Sequence, residues 1–288
     1  MIKNYIKTAW RNIVANKLFA TLNIAGLAIG ICVCITLFAC ASYELSFDRM
    51  YKNSKNIYRV NLQSSAEYGS KVWAQLPGIA GPTFVKDLPQ VKAMTRLLKY
   101  DFGAVVSLKT DEKNFSEKGL YMADTAVFKM FDFSFIEGNA QTAFAQPKSI
   151  VISESAKQRL YGSGPAFGKV IYVDNRDTLH VSGVYKDLPK NSTIDCDMIY
   201  NIMDSWAGKD VYWGNSSYET YVRLQPGADA KLVQKLADAM VNKYIPEKGR
   251  FFTGFIFQPL TDIHLYSSDI RAGFSSRMGS IGTVKALL

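Results

Sequence analysis

The sequence predicts an α+β protein in which one transmembrane helix is followed by a mixed α/β exported domain. Three observations carry this. An uncharged run of 26 residues lies between Lys17 and Glu44, strand-helix-strand patterns occur at both ends of the remaining chain, and short strand candidates fill the stretch between them. A hydrophobic content of 48% over 288 residues excludes a disordered chain and is enough for a sizeable core.

Residues 1–17 come first. Ile2, Ile6, Trp10 and Ile13 recur on one helical face, with Lys3, Lys7, Arg11 and Asn4 on the other. This predicts an amphipathic helix lying in a membrane interface, with Lys3, Lys7, Trp10, Arg11 and Lys17 at headgroup depth. The formal net charge is +9, and Lys3, Lys7, Arg11 and Lys17 supply four of these charges with no acid before Glu44, leaving an ordinary +5 for everything else. No stripe of Lys and Arg interleaved with aromatics appears, so nucleic acid is not an expected partner and the lipid bilayer is.

Residues 18–43 form the apolar run. As a helix it spans about 39 Å, against about 30 Å of hydrocarbon. A secretory signal has a shorter apolar core of about 7–15 residues before its cleavage site. "ACA" at 39–41 and "LFAC" at 37–40 imitate cleavage boxes, so a lipoprotein cut at Cys40 is the competing reading; Phe38 sits where such a box usually has a small residue. Gly26 and Gly30 form a GxxxG-like pair that admits close approach of another helix. Short basic flanks stay cytoplasmic, which places the N-terminus inside and everything after Glu44 outside.

After the anchor, "SKNIYRVNLQS" alternates as a strand, with Ile57, Arg59 and Asn61 on one side and Tyr58, Val60 and Leu62 on the other. A helix fits 79–88 and a second strand fits "VKAMTRLLKY". The order returns near the other end: "YETYVRLQ" as strand, "PGAD" as turn and cap, "AKLVQKLADAMVNKY" as helix and "RFFTGFIFQPL" as strand. In that helix Leu232, Leu236, Met240 and Tyr244 recur at helical spacing and are expected in the core.

Between them, "GAVVSLKT", "NFSEKGLYMAD", "KSIVIS", "GKVIYVD" and "DTLHVSGVYKDLP" read as short strands. "SESAKQRLYG" reads as a helix capped by Ser153 and stopped at Gly162.

Chemistry-bearing motifs are sparse. "GSGPAFGKV" at 162–170 resembles a phosphate loop, but Ser163 stands at the first glycine position, Val170 replaces the hydroxyl residue, and the loop feeds a strand. His180 and His264 offer no nucleophile elbow. Asp262 beside His264 in "LTDIHLYS" reads as solvated side chains near a strand end. "IDCDM" at 194–198 sets two carboxylates around Cys196 without clustered histidines, and no structural metal, cofactor or catalytic residue is expected. Three of the four cysteines, Cys32, Cys34 and Cys40, lie in the apolar run, so no disulfide forms within the exported part. The sequons at Asn114, Asn191 and Asn215 read as loops.

Several phrases together resemble a known family: "ATLNIAGLAIGI", "YELSFDRMYKNSKNIYRV", "SIVISESAKQRLYG", "GKVIYVD", "VSGVYKDLPKNS" and "QPLTDIHLYS". In this order they are similar to FtsX-like permeases of ABC transporters carrying a MacB-type periplasmic core domain. The resemblance implies a bacterial inner-membrane permease subunit that is multi-pass at full length and is not an enzyme. Its expected partners are a cytosolic ABC ATPase, a second permease copy and a periplasmic adaptor or lipoprotein. Such permeases serve macrolide or peptide export, lipoprotein release or control of cell-wall hydrolases. The sequence then reads as an N-terminal portion: 44–275 a periplasmic core domain, with 44–100 and 206–275 near the membrane and 101–205 inserted, and 276–288 the start of a second span. Residues near 48 and near 276 are expected to be neighbours, since both ends return to one membrane surface. A single-pass sensor or adaptor is the alternative.

Overall fold

The computed structural model describes residues 2–103, 105–110, 114–117, 119–245 and 251–288. Lys118, inside "NFSEKGLYMAD", and Arg250, which opens "RFFTGFIFQPL", lie outside the described residues.

In chain order the elements begin with helices α1 (Ile2–Ala15) and α2 (Lys17–Leu45), then strands β1 (Ile57–Ser64), β2 (Val72–Trp73) and β3 (Leu76–Pro77). Helix α3 (Ala80–Asp87) leads to β4 (Val91–Lys99), β5 (Val106–Lys109), β6 (Asn114–Glu117) and β7 (Leu120–Ala123). The turn α4 (Val127–Met130) precedes β8 (Phe135–Glu137) and β9 (Ser149–Ser153), and α5 (Glu154–Tyr161) precedes β10 (Val170–Val173), β11 (Asp177–Tyr185) and β12 (Met198–Asn201). The chain closes with β13 (Ser216–Leu224), α6 (Ala230–Tyr244), β14 (Phe252–Pro259), β15 (Ile270–Arg271) and α7 (Ile281–Leu287).

Two compact units result, one of residues up to Leu45 together with Ile281–Leu288, the other Ser46–Ser280. In the first, α2 is the one helix among the described residues long and apolar enough to cross a membrane. Thr36 donates its hydroxyl to the Cys32 carbonyl at 2.8 Å, satisfying a polar group inside the apolar run. Helix α7 touches α2.

The second unit is built on four neighbouring strands, β14-β1-β13-β4, each antiparallel to the next. Numbered by their order in the chain they run 4-1-3-2. Each strand-helix-strand pair, β1-α3-β4 and β13-α6-β14, therefore straddles a strand of the other pair. This is the split βαβ arrangement of ferredoxin-like folds, with a long insertion between its second and third strands. The sheet continues from β4 into β7, β12, β9, β11, β10, β5 and β6, with parallel pairing at β7/β12 and β9/β11.

The two faces of the four-stranded part differ. Val60, Leu62, Val222, Leu224, Phe255 and Phe257 pack with Ala80 and Phe84 of α3 and Val233 and Ala237 of α6. The opposite face, at Ile57 and Tyr221, packs with Tyr51, Phe131, Leu260 and Ile263. A third cluster joins the continuing sheet to α5 through Ile150, Ile152, Ala156, Leu160 and Val181.

Caps follow the sequence rules. The Ser153 hydroxyl accepts the Ala156 N–H, Gly162 stops α5 at φ 67°, and Asp229 accepts the Lys231 N–H to start α6. The expected core stripe of α6 needs correction. Leu232 and Leu236 are 50% and 39% exposed, and the buried stripe is Val233, Ala237, Met240 and Val241. The smaller side chains let the helix lie close to β14, and the leucines flank that contact. "NFSEKGLYMAD" forms two strands, β6 and β7, and Asn114 lies in β6 rather than in a loop. The short elements β2, β3, α4, β8, β12 and β15 have no counterpart among the elements the sequence predicts.

Candidate functional site where the two ends of the domain meet

Three separate segments converge on the first residues of the second unit. The lead-in, Ser46–Asp48, meets the loop Pro189–Thr193 that follows β11, and the lead-out that follows β14 reaches the same place.

At the centre the Phe47 ring stacks on the His264 imidazole, with centroids 3.4 Å apart and planes inclined by 3°. His264 is buried. Its Nδ1 lies 2.8 Å from the Arg277 carbonyl oxygen, and its own carbonyl accepts the Gly279 N–H at 2.9 Å. One residue thus touches the lead-in through its ring and the lead-out through both ring and backbone. The expectation of a solvated His264 beside Asp262 is therefore corrected: a planar neighbour and a carbonyl hold the imidazole.

Asp48 sits next to this stack, fully buried and at φ 57°, a backbone conformation that Asp tolerates better than most residues. Its Oδ1 accepts the Thr193 N–H at 2.9 Å and its Oδ2 the Thr193 hydroxyl at 2.6 Å. The Asp48 N–H donates to the Asn191 carbonyl, and Asn191 Nδ2 donates to Ser46 Oγ at 2.9 Å. Burial outweighs these hydrogen bonds and the charge of His264, pushing the Asp48 carboxyl up to about 6. The loop also holds the lead-out: Arg277 Nη1 donates to the Pro189 and Ser192 carbonyls, each at 3.2 Å. Asp195, one of the "IDCDM" carboxylates, accepts from Ser276 Oγ at 3.0 Å and from the Tyr121 hydroxyl at 3.2 Å. Its neighbour Asp197 pairs with Arg159, so the two acids do not act together. Cys196 between them is buried, and burial pushes its thiol well up.

A second polar layer fastens the lead-out to the sheet. Arg59 is 1% exposed and donates to Asn61, to Gln258 at 2.9 Å and to Ser267 at 3.1 Å, with Glu219 at 3.5 Å. Glu219 accepts the Phe274 N–H at 2.6 Å and the Tyr221 hydroxyl at 2.9 Å. A buried arginine is held by several acceptors from β1, β13, β14 and the lead-out, which is the condition under which such a charge is tolerated.

The residues singled out in the sequence lie elsewhere. Lys3, Lys7, Trp10 and Arg11 are exposed on α1, and Lys17 begins α2. Gly26 and Gly30 lie on α2, where a Cβ added to either would meet no atom within 4 Å. The phosphate-loop lookalike joins α5 to β10, with Gly162 and Gly168 at positive φ. Among the described residues no group of three or more His, Cys, Asp and Glu side chains gathers to hold a metal.

These observations define an α+β domain that follows a helix long and apolar enough to cross a membrane and whose own ends are fastened together at one place. The chain belongs to the family of MacB-like periplasmic core domains, whose model matches residues 20–240. Solved structures share the fold. A domain of a putative permease protein from Porphyromonas gingivalis is 24% identical with a TM-score of 0.64, over 74% of this chain and 92% of that one. The periplasmic region of MacB from Actinobacillus actinomycetemcomitans is 14% identical with a TM-score of 0.51, over 73% and 91%. The extracellular domain of the noncanonic ABC-type transporter YknZ from Gram-positive bacteria is 12% identical with a TM-score of 0.51, over 70% and 100%. No match was found among curated proteins.

Proposed function

We propose that this chain is part of an ABC-transporter permease whose exported domain transmits motion and performs no chemistry. ATP binding and hydrolysis on a cytosolic ATPase move the membrane helices, and the periplasmic domain follows. The observation that carries this reading is the clamp at His264: a domain that must answer to helix movement has to be gripped where the chain enters and leaves it, and Phe47 and Arg277 are both held there. Family membership supports the same reading.

In this account α1 lies in the interface through Trp10 and its basic face, α2 spans the inner membrane with the N-terminus cytoplasmic, and 276–288 begins a second span. Gly26 and Gly30 offer a packing surface to another helix, including that of a second permease copy. The ferredoxin-like part, 44–100 with 206–275, sits near the membrane, and 101–205 stands beyond it where an adaptor or lipoprotein partner would be met.

The test is mild-detergent purification of the protein from its own membrane. Copurification of an ABC ATPase whose activity falls when Phe47→Ala and His264→Ala are combined is the expected result. A protein that recovers no ATPase, and signals alone as a single-pass receptor, would remove the proposal.

A further inference from the structure

The turn after β4 and the turns after β12 enclose a cavity of about 320 Å³, part of the inserted stretch and separate from the clamp residues. Its walls carry four aromatic side chains, Tyr100, Phe102, Tyr200 and Trp206, around Met122. The Phe102 and Trp206 rings lie 5.9 Å apart, inclined by 36°, and both are exposed to solvent. Phe102 is held at φ 54°, which is unusual for a bulky residue, so the backbone accepts strain while its ring stands in water.

The same cavity carries Asp177, Asp204 and Arg176. Arg176 is matched by Asp174 at 2.9 Å. Asp177 Oδ2 accepts the Tyr100 hydroxyl, and Asp204 Oδ2 accepts the Lys148 N–H at 2.8 Å. The lining therefore bears two carboxylates against one guanidinium that already has a partner. Tyr200 feels this field: burial first, then Asp204 and Asp177, push its phenol up to about 12. Aromatic faces with an excess of carboxylate match an organic cation, because the ring quadrupole and the acids attract the same charge. An anion would face both acids, and a neutral apolar guest would strip water from them without replacement. The volume is at the small end of ligand sites.

We infer that this cavity binds a small organic ammonium ion, held against the neighbouring Phe102 and Trp206 rings and drawn in by Asp177 and Asp204. The test titrates the full chain in detergent with choline at constant ionic strength, reading tryptophan fluorescence and calorimetric heat. 3,3-Dimethyl-1-butanol, the neutral carbon isostere, and acetate serve as controls. Saturable choline binding is expected, with the isostere at least ~10-fold weaker and Trp206→Ala, at an exposed position, costing ~10-fold. Asp204→Asn should weaken choline and leave the isostere unchanged. Equal binding of choline and its isostere, tighter binding of acetate, or no saturable heat with choline would each overturn the assignment.

Discussion

At the scale of single residues the clamp depends on groups that are costly to bury and therefore informative. Asp48 is the clearest. Its folded-state carboxyl is raised from the ordinary 3.8 to about 6, so the folded state holds the proton more tightly than the unfolded chain does. Stability from this group is fully present below the unfolded value and declines as pH rises through the folded one. Asp48 should thus account for a loss of about 2 kcal/mol between pH 4 and pH 6, out of about 3 kcal/mol over the full titration. The difference in urea midpoint between wild type and Asp48→Asn, followed across that range, isolates it. Parallel pH curves would contradict the assignment. Arg59 gives a second test. Arg59→Met leaves Glu219 buried without its cation and should destabilise the domain by about 3–5 kcal/mol in chemical denaturation, part of which Glu219→Gln in the same chain should restore. Neither residue announced its role in the sequence. Asp48 and Thr193 lie 145 positions apart, and no local periodicity reports such a pairing. The phrases holding Phe47 and Ser192 stood out only through family resemblance, and His264 otherwise only as a histidine beside Asp262.

At the scale of elements, the twofold alternation of β1 separated Ile57, Arg59 and Asn61 from Tyr58, Val60 and Leu62 correctly. It did not say what covers the polar side. Alternation assigns residues to faces, and a polar face looks the same whether water or a polar segment lies over it. Here the lead-out covers it. The α6 stripe failed for a related reason: large leucines invite a core assignment, yet close helix-sheet approach favours Val233 and Ala237. Helix α6 also does work that no pattern shows. Strand β14 pairs with β1 on one side, and on the other its Phe255 and Phe257 N–H groups donate to Asp238 Oδ1 at 2.7 Å and Gln234 Oε1 at 3.1 Å. Side chains one helical turn apart thus close a sheet edge that would otherwise template pairing. Asp238→Ala should cost about 1–3 kcal/mol through the orphaned Phe255 N–H. It should also produce concentration-dependent self-association in sedimentation. A variant that stays monomeric at wild-type stability would show the edge needs no such cover.

At the scale of the whole molecule, the 4-1-3-2 strand order explains why the strand-helix-strand units at the two ends of the exported sequence belong together. Each supplies strands that flank the other's, so β1 and β13 are direct neighbours. The two units could be read in the sequence, whereas their interleaving could not, because strand order is set by contacts across an insertion of more than a hundred residues. Orientation in the membrane rests on the basic N-terminal flank. In a cysteine-free background, an impermeant maleimide applied from the periplasmic side should label Lys190→Cys, an exposed position, and leave Lys3→Cys unmodified. The reverse pattern would invert the topology. The central claim is that the two ends of the exported domain are held as one mechanical unit at His264. Amide hydrogen exchange tests it most directly, through the Gly279 N–H that donates to the His264 carbonyl. Phe47→Ala changes only the lead-in, and the account predicts that it accelerates exchange at Gly279 together with the amides of Asp48 and Thr193. Faster exchange confined to the lead-in, with Gly279 protected as in the wild type, would contradict it.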